Sequence, residues 1–244
     1  MTKTIEQMMR EVKLGGLAKD WRSIEFHDTE QYIRELLTLE LLERESNRCA
    51  KYTKQAGFKV VKTLDDFKWK QSIEIPNSIT REEIENAEFV KRGENLILMG
   101  SNGTGKTHLA TALAVRLCRQ GKQAKFFTVT ELANILREKS DSGILSKYIA
   151  SLRKNELIVI DEIGYITLHK GAAELIFQVV GDCYEQRSVI VTTNLDFSQW
   201  NTVFGDAKLT AALIDRLIHH SHIVTFSGQG HRMEEALNRQ RKPQ

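Results

Sequence analysis

The apolar positions of this chain change period near residue 95. Before it they recur at helical spacing. Ile33, Leu36, Leu37, Leu41 and Leu42 fall on one face of a segment running from Thr29 to about Gln55. A shorter segment, 4–14, has the same character, and Gly57 supplies a stop for the longer one. Thr80 with Glu83 has the spacing of a capping box and opens a further helix. After residue 95, short apolar runs alternate with helical segments. The runs at 95–99, 124–129, 157–161, 188–193 and 222–227 have strand length; the stretches 106–119, 131–139, 172–186 and 207–219 have helical periodicity. Strands separated by helices of about 10–15 residues predict a parallel sheet covered on both faces. The expected fold is α/β: a small all-helical N-terminal domain at 1–62, a connector at 63–80 with Phe67 and Trp69 as aromatic anchors, and a five-stranded parallel core at 81–244.

One strand-to-helix junction carries a chemical signature. Gly100, Ser101, Asn102, Gly103, Thr104, Gly105, Lys106 and Thr107 fit G-x-x-x-x-G-K-S/T at every fixed position, and His108 follows. Such a loop wraps backbone N–H groups around phosphate oxygens, and its glycines let the backbone approach closely. The helix that follows points its N-terminus at the anion. Lys106 is expected to reach the β/γ-phosphates of ATP, and Thr107 to hold Mg²⁺.

Phosphate chemistry also needs a carboxylate for the metal and a group that activates water. "LIVIDEIG" offers both. Asp161 ends a buried strand, at the edge where ligands of such sheets bind, and Glu162 beside it is placed to polarise the attacking water. Asn194, at the end of "VTTN", is expected at the same edge, where a neutral amide can contact the γ-phosphate. Arg216, in "LIDRLIHH", precedes the last strand; there it faces away from its own phosphate loop and could serve only a neighbour's site, unless it is a surface ion-pair partner of Asp215. "DEIG" also fits the D-x-x-G of GTPases, but "TNLD" lacks the lysine of a guanine-reading N-K-x-D. The core holds no arginine-rich lid of a metabolite kinase. The adjacent Asp-Glu pair favours the additional-strand, catalytic-glutamate (ASCE) class of P-loop NTPase, to which AAA+ proteins belong. Residues 228–244 are too few for the helical lid usual in AAA+ proteins, so a lidless core is expected.

Charge adds a candidate partner. The chain is mildly basic, net +3, which is compatible with a polyanion. Between residues 44 and 62 there are six Lys or Arg against one acid, Glu45. Arg44, Arg48, Lys51 and Lys54 line one helix face, with Lys59 and Lys62 following; such a stripe suits DNA phosphates, or is simply solvated. Cys49, Cys118 and Cys183 are odd in number and widely spaced, which reads as reduced thiols in a cytoplasmic protein with neither disulfide nor zinc. His219, His220 and His222 lack an evident carboxylate or Cys partner in sequence. No apolar run approaches the ~18 residues of a membrane span.

Taken together, the phosphate-loop stretch, "DEIGY", "TTNLDFSQWNTVFGD", "LIDRLIHHSHIV" and "LDDFKW" resemble the IstB family across nearly the whole chain. These are helper ATPases of insertion-sequence transposition, related to the DnaC helicase loader. The resemblance implies an AAA+ ATPase that forms a homo-oligomer on double-stranded DNA with ATP, marks target sites and stimulates a partner transposase. It matches Arg216 to the family's arginine finger, acting in trans. The family commonly carries Ser-Tyr-Arg after the last strand; here Gly230 and His231 precede Arg232, a departure from that pattern. The alternative is a DnaC-like loader whose arm grips a helicase and single-stranded DNA.

Overall fold

The computed structural model describes residues 3–25, 27–168 and 170–228, with Lys170 described in its backbone alone. Arg232 and the basic tail "NRQRKPQ" lie outside the described residues. The chain opens with α1 (Ile5–Glu11), α2 (Leu17–Asp20) and α3 (Thr29–Gln55), followed by β1 (Ile73–Glu74), α4 (Arg81–Glu85) and α5 (Glu88–Lys91). Then come β2 (Asn95–Gly100), α6 (Lys106–Arg119), β3 (Ala124–Thr128), α7 (Val129–Asp141), α8 (Leu145–Leu152) and β4 (Leu157–Ile163). The last elements are α9 (Lys170–Cys183), β5 (Ser188–Thr193), α10 (Asn201–Phe204), α11 (Ala207–Ile218) and β6 (Ser221–Phe226).

The sheet has six strands in the order β1-β6-β2-β5-β4-β3. Five are the expected parallel strands. The sixth corrects the reading of 63–80 as a plain connector: Ile73 and Glu74 pair antiparallel with Phe226 and Thr225. Two residues carry no alternation to detect, and pairing alone makes them a strand. Between the expected helix at 131–139 and the expected strand at 157–161 the structure adds a further helix, α8, which buries Leu152. β5 lies between β2 and β4, so one strand separates the phosphate-loop strand from the Asp161 strand.

Both sheet faces are covered, and side chains alternate between them as the pleat requires. Ile97, Ile158, Ile160, Val189 and Val191 point into one cluster with α7, α9 and α11. Leu96, Leu98, Leu157, Val159 and Ile190 point into the other, with α6 and the end of α3. Both register sets are buried, which is why the strands read as continuous apolar runs. Among the described residues no helix is long and apolar enough to cross a membrane.

The arm differs from the sequence expectation. The apolar face of α3 is solvent-exposed: Ile33 is 50% and Leu41 66% exposed. The buried residue of α3 is a carboxylate, Glu40. It accepts the Leu17 N–H (3.3 Å) and pairs with Arg44 (2.7 Å), and Arg44 donates onward to the Lys13 carbonyl (2.8 Å), so this pair pins the N-terminal hairpin to α3. At its other end α3 joins the core. Cys49 Sγ donates to the Arg119 carbonyl (3.1 Å), Arg48 packs against Gly121, and the Phe126 N–H donates to the Ala56 carbonyl (2.8 Å). Gly57, at φ +90°, then ends the helix.

Candidate nucleotide site

β2 delivers the phosphate loop to the carboxyl edge of the sheet. Gly103 and Gly105 hold φ of +75° and +109°, conformations that let consecutive N–H groups turn inward. A Cβ at Gly105 would meet the Phe67 ring at 3.3 Å, so this glycine also lets the connector close over the loop. Lys106 is buried, and its ammonium donates to the Gly100 (2.6 Å) and Ser101 (2.7 Å) carbonyls. Burial lowers its pKa to about 8, against the opposing pull of Asp161.

Asp161 is the hub of the polar network. Its Oδ1 accepts from Thr107 Oγ1 at 3.0 Å and from Thr192 Oγ1 in a short contact. Burial pushes its carboxyl up, while those two hydroxyls and Lys106 pull it back. The Thr107–Asp161 separation matches adjacent ligands of an octahedral ion with bonds of about 2.1 Å, so the pair fits Mg²⁺.

Glu162 reaches the cavity through a bulge. The pairing of β4 with β5 shifts between Ile160 and Ile163, Glu162 takes φ +65°, and its N–H donates to Thr192 Oγ1 at 2.9 Å. A bulge re-aims a side chain that regular pleating would bury, and a non-glycine residue at positive φ is the kind of strain found at working sites. Thr192 thus holds both carboxylate residues, one by side chain and one by backbone, a role the sequence reading missed. Its signal was the "TT" ahead of Asn194.

Asn194 lies at the end of β5, where its Oδ1 is buried and has no hydrogen-bond partner among the described residues. Gly164, at φ +121°, makes room for it: a Cβ there would sit 2.4 Å from Asn194 Oδ1. Tyr165 closes the side by donating to Asn102 Oδ1 at 2.7 Å. Lys106, Thr107, Glu162 and Asn194 all line a cavity of about 310 Å³, in the size range of small-ligand pockets. The glycine loop fits an anionic occupant, and the orphaned amide oxygen fits a donor beside it, such as a water held by that anion or its metal.

Arg216 is not in this cavity. It caps the Phe177 ring at 4.2 Å and fills the space left by Gly181. It lies near the start of β6, whose Ser221 is paired with Asn95, the first residue of β2. The phosphate loop leaves the other end of β2. A six-residue strand at about 3.3 Å per residue separates the two edges by roughly 20 Å.

The basic residues of the arm divide. Lys51 and Lys54 are exposed on α3, whereas Arg44 and Arg48 are engaged within the chain as described above. Lys59 pairs with Glu131 (3.0 Å), and Lys62 lines the nucleotide cavity, so neither extends the stripe. At the opposite sheet edge, Glu185 supplies the carboxylate that the histidine run lacked in sequence: its ligand atom and those of His219 and His220 lie within 4.8 Å of one another. His222 is instead held by Glu94 (2.9 Å) and Ser78 (2.8 Å).

Comparison with known proteins identifies the family of the chain and relatives of its fold. A family model described as IstB-like ATP binding protein matches residues 8–239. An insertion-sequence ATP-binding protein of Geobacillus stearothermophilus (IS5376) is 30% identical over 241 residues, 96% of each chain. That of IS21 from Pseudomonas aeruginosa is 36% identical over 182 residues, 75% of this chain and 68% of its own. Among solved structures, the DnaC helicase loader aligns with a TM-score of 0.53 at 23% identity, over 68% of this chain and 96% of that one. AMPPCP-bound DnaA from Aquifex aeolicus aligns at 0.55 and 19%, over 72% and 55%. The structural likenesses show the fold, that of P-loop AAA+ domains.

Proposed function

The chain belongs to the IstB-like ATP-binding protein family, and on that premise we propose that it is a Mg²⁺-dependent ATPase that assembles on duplex DNA and stimulates a partner transposase. The carrying observation is the split between the cavity and Arg216. Phosphate loop, metal-binding pair, glutamate and amide share one sheet edge; the arginine that would offset charge on the γ-phosphate sits at the other. Such a site is completed by a second copy of the chain.

Each residue then has a role. The loop N–H groups and Lys106 bind the phosphates. Thr107 and Asp161 would hold Mg²⁺, which would supply positive charge at the phosphates. Glu162 takes a proton from the attacking water, and Asn194 orients that water or the γ-phosphate. Arg216 of a neighbouring subunit stabilises the transition-state charge. The exposed apolar stripe of α3 supports assembly, because monomers rarely leave contiguous apolar surface uncovered. Lys51 and Lys54 offer phosphate contacts without base reading. The relatives named above are proteins of insertion sequences, which supports the transposition setting.

The deciding experiment is sedimentation with duplex DNA, without nucleotide, with ATP and with ADP, at two salt concentrations. A large, salt-sensitive complex formed with ATP and not with ADP is the expected result. A protein that stays small and ignores duplex in every state would remove this reading and leave a helicase loader as the better one.

A further inference from the structure

The chain between α3 and β1 passes over the nucleotide cavity as a strap with two anchors. At its start, the Lys59–Glu131 ion pair ties it beside the carboxylate end of the site; Lys59 is also held charged by the nearby Glu162 and Asp161 carboxylates. At its far end, the Thr63 carbonyl accepts from His108 Nε2 (3.1 Å), and the Phe67 ring packs edge-on to His108 at 5.4 Å and over Gly105. Because a carbonyl can only accept, His108 carries its proton on Nε2. The strap therefore runs from the hydrolytic end of the site to the first turn of α6.

Lys62 lies between these anchors. It is half-buried and lines the cavity together with the phosphate loop and Glu162. Among the described residues it has neither an ion pair nor a side-chain hydrogen bond, whereas Lys59 and Lys106 each have a partner. A lysine commonly packs its stem and keeps its ammonium in water, and here that ammonium borders the cavity with no partner to give up before it meets an anion. The cavity is already built for a polyanion, and Lys62 lines it together with the phosphate loop and Glu162.

We propose that Lys62 is a second phosphate-binding lysine that contacts the terminal phosphate of the bound triphosphate, and that this contact clamps the 57–67 strap and with it the C-terminal end of α3. The inference rests on the ATP reading of the cavity and deepens it: nucleotide state reaches the arm along the chain itself. The route is short and rigid at its arm end. Ala56, one residue before the strap, is hydrogen-bonded to β3, and α3 packs on α6, the helix that the phosphate loop opens. Loss of the terminal phosphate removes the anion from Lys62 but leaves Lys106 and the loop N–H groups their own partners, so ADP should bind without tightening the strap.

The test uses the full chain with Mg²⁺ and compares wild type with Lys62→Ala and Lys62→Arg. Affinities for AMPPCP and for ADP are measured, and backbone hydrogen exchange across residues 57–67 is followed with each. The wild type is expected to prefer AMPPCP and to protect the strap more with it. Lys62→Ala should lose about tenfold in AMPPCP affinity with ADP affinity nearly unchanged, and lose the extra protection; Lys62→Arg should keep most of both. Matching melting temperatures without nucleotide show that the variants fold, and if Lys62→Ala melts early, Lys62→Gln takes its place. An equal loss for both nucleotides, or none, overturns the terminal-phosphate contact while leaving ATP binding intact. A wild type that binds neither nucleotide overturns the ATP reading and this inference together.

Discussion

Gly164 shows how much of the site depends on single residues. Its φ of +121° is open to glycine and costly for anything else, and a Cβ would collide with Asn194 Oδ1 at 2.4 Å and with Leu195 at 2.8 Å. Gly164→Ala should therefore cost about 1–3 kcal/mol of local strain and displace Asn194 from the cavity. ATP hydrolysis is expected to fall at least about tenfold with nucleotide affinity much less affected, the pattern of a lost transition-state contact. A wild-type turnover rate would mean that Asn194 does not act from this position. The cysteines give an independent check on packing. Burial pushes the Cys118 thiol up to about 11 and the Cys183 thiol up to about 12. Raising a thiol pKa lowers its thiolate fraction, so at pH 8 those fractions are only about 10⁻³ and 10⁻⁴. Alkylation of the native chain at pH 8 should modify Cys49 alone, and unfolding should expose all three; rapid native labelling of Cys183 would contradict the packing of α9. At this scale, the residues visible in sequence were those with fixed motif spacing. Glu162 was visible too, but not the bulge that aims it, because a register shift is a property of two strands. Thr192 escaped notice because a hydroxyl's role depends on which carboxylate folding brings to it.

At the scale of elements, the parallel strands and their covering helices follow from apolar periodicity, because both sheet faces are buried and the pattern has no competing reading. The failures share another cause. β1 exists only by pairing with β6. The apolar stripe of α3 has the period of a core face, yet the core takes the neighbouring face through Cys49, Tyr52 and Ala56. The basic run from 44 to 62 looked continuous in sequence, but Gly57 breaks the helix inside it, and beyond it Lys59 pairs with Glu131 while Lys62 lines the nucleotide cavity. This changes which residues test DNA binding. Reversing Arg48 would also disturb its packing on Gly121, so Lys51→Glu with Lys54→Glu is the cleaner choice. That double variant should weaken binding to all duplex sequences alike and flatten the salt dependence by about 1.8 in log–log slope, if each lysine neutralises one phosphate. Titrations from low to moderate salt on two unrelated duplexes read both effects. An unchanged slope would place the DNA surface elsewhere, with α8 and its flanks, carrying Lys147, Arg153 and Lys154, next in line. Of these Arg153 is already committed to Asp182.

For the molecule as a whole, the placement of Arg216 at the sheet edge opposite the phosphate loop, with a strand of roughly 20 Å between the two edges, has the widest consequence. Hinge motion within one sheet cannot close that distance, since β2, which joins the two edges, is paired with β6 along its whole length and with β5 over Leu96–Met99. Arg216 must act in a neighbour's site or be structural, and its stacking on Phe177 makes a structural role a real competitor. Loss of activity in Arg216→Ala alone would not separate the two. Mixing does. Arg216→Ala keeps its own phosphate loop and lacks the arginine; Lys106→Ala keeps the arginine and lacks a working loop. Each variant alone should hydrolyse ATP at least about 10³-fold more slowly than wild type. In a mixed assembly, a Lys106→Ala subunit can place its intact Arg216 against the intact loop of an Arg216→Ala subunit, so part of the subunit boundaries regain a complete site. Phosphate release should rise on mixing, peak near equal proportions, and require whatever DNA or ATP concentration drives assembly. If Arg216 only packs against Phe177, the damage stays within each Arg216→Ala chain, mixing leaves turnover at the sum of the two residual rates, and the composite site is excluded.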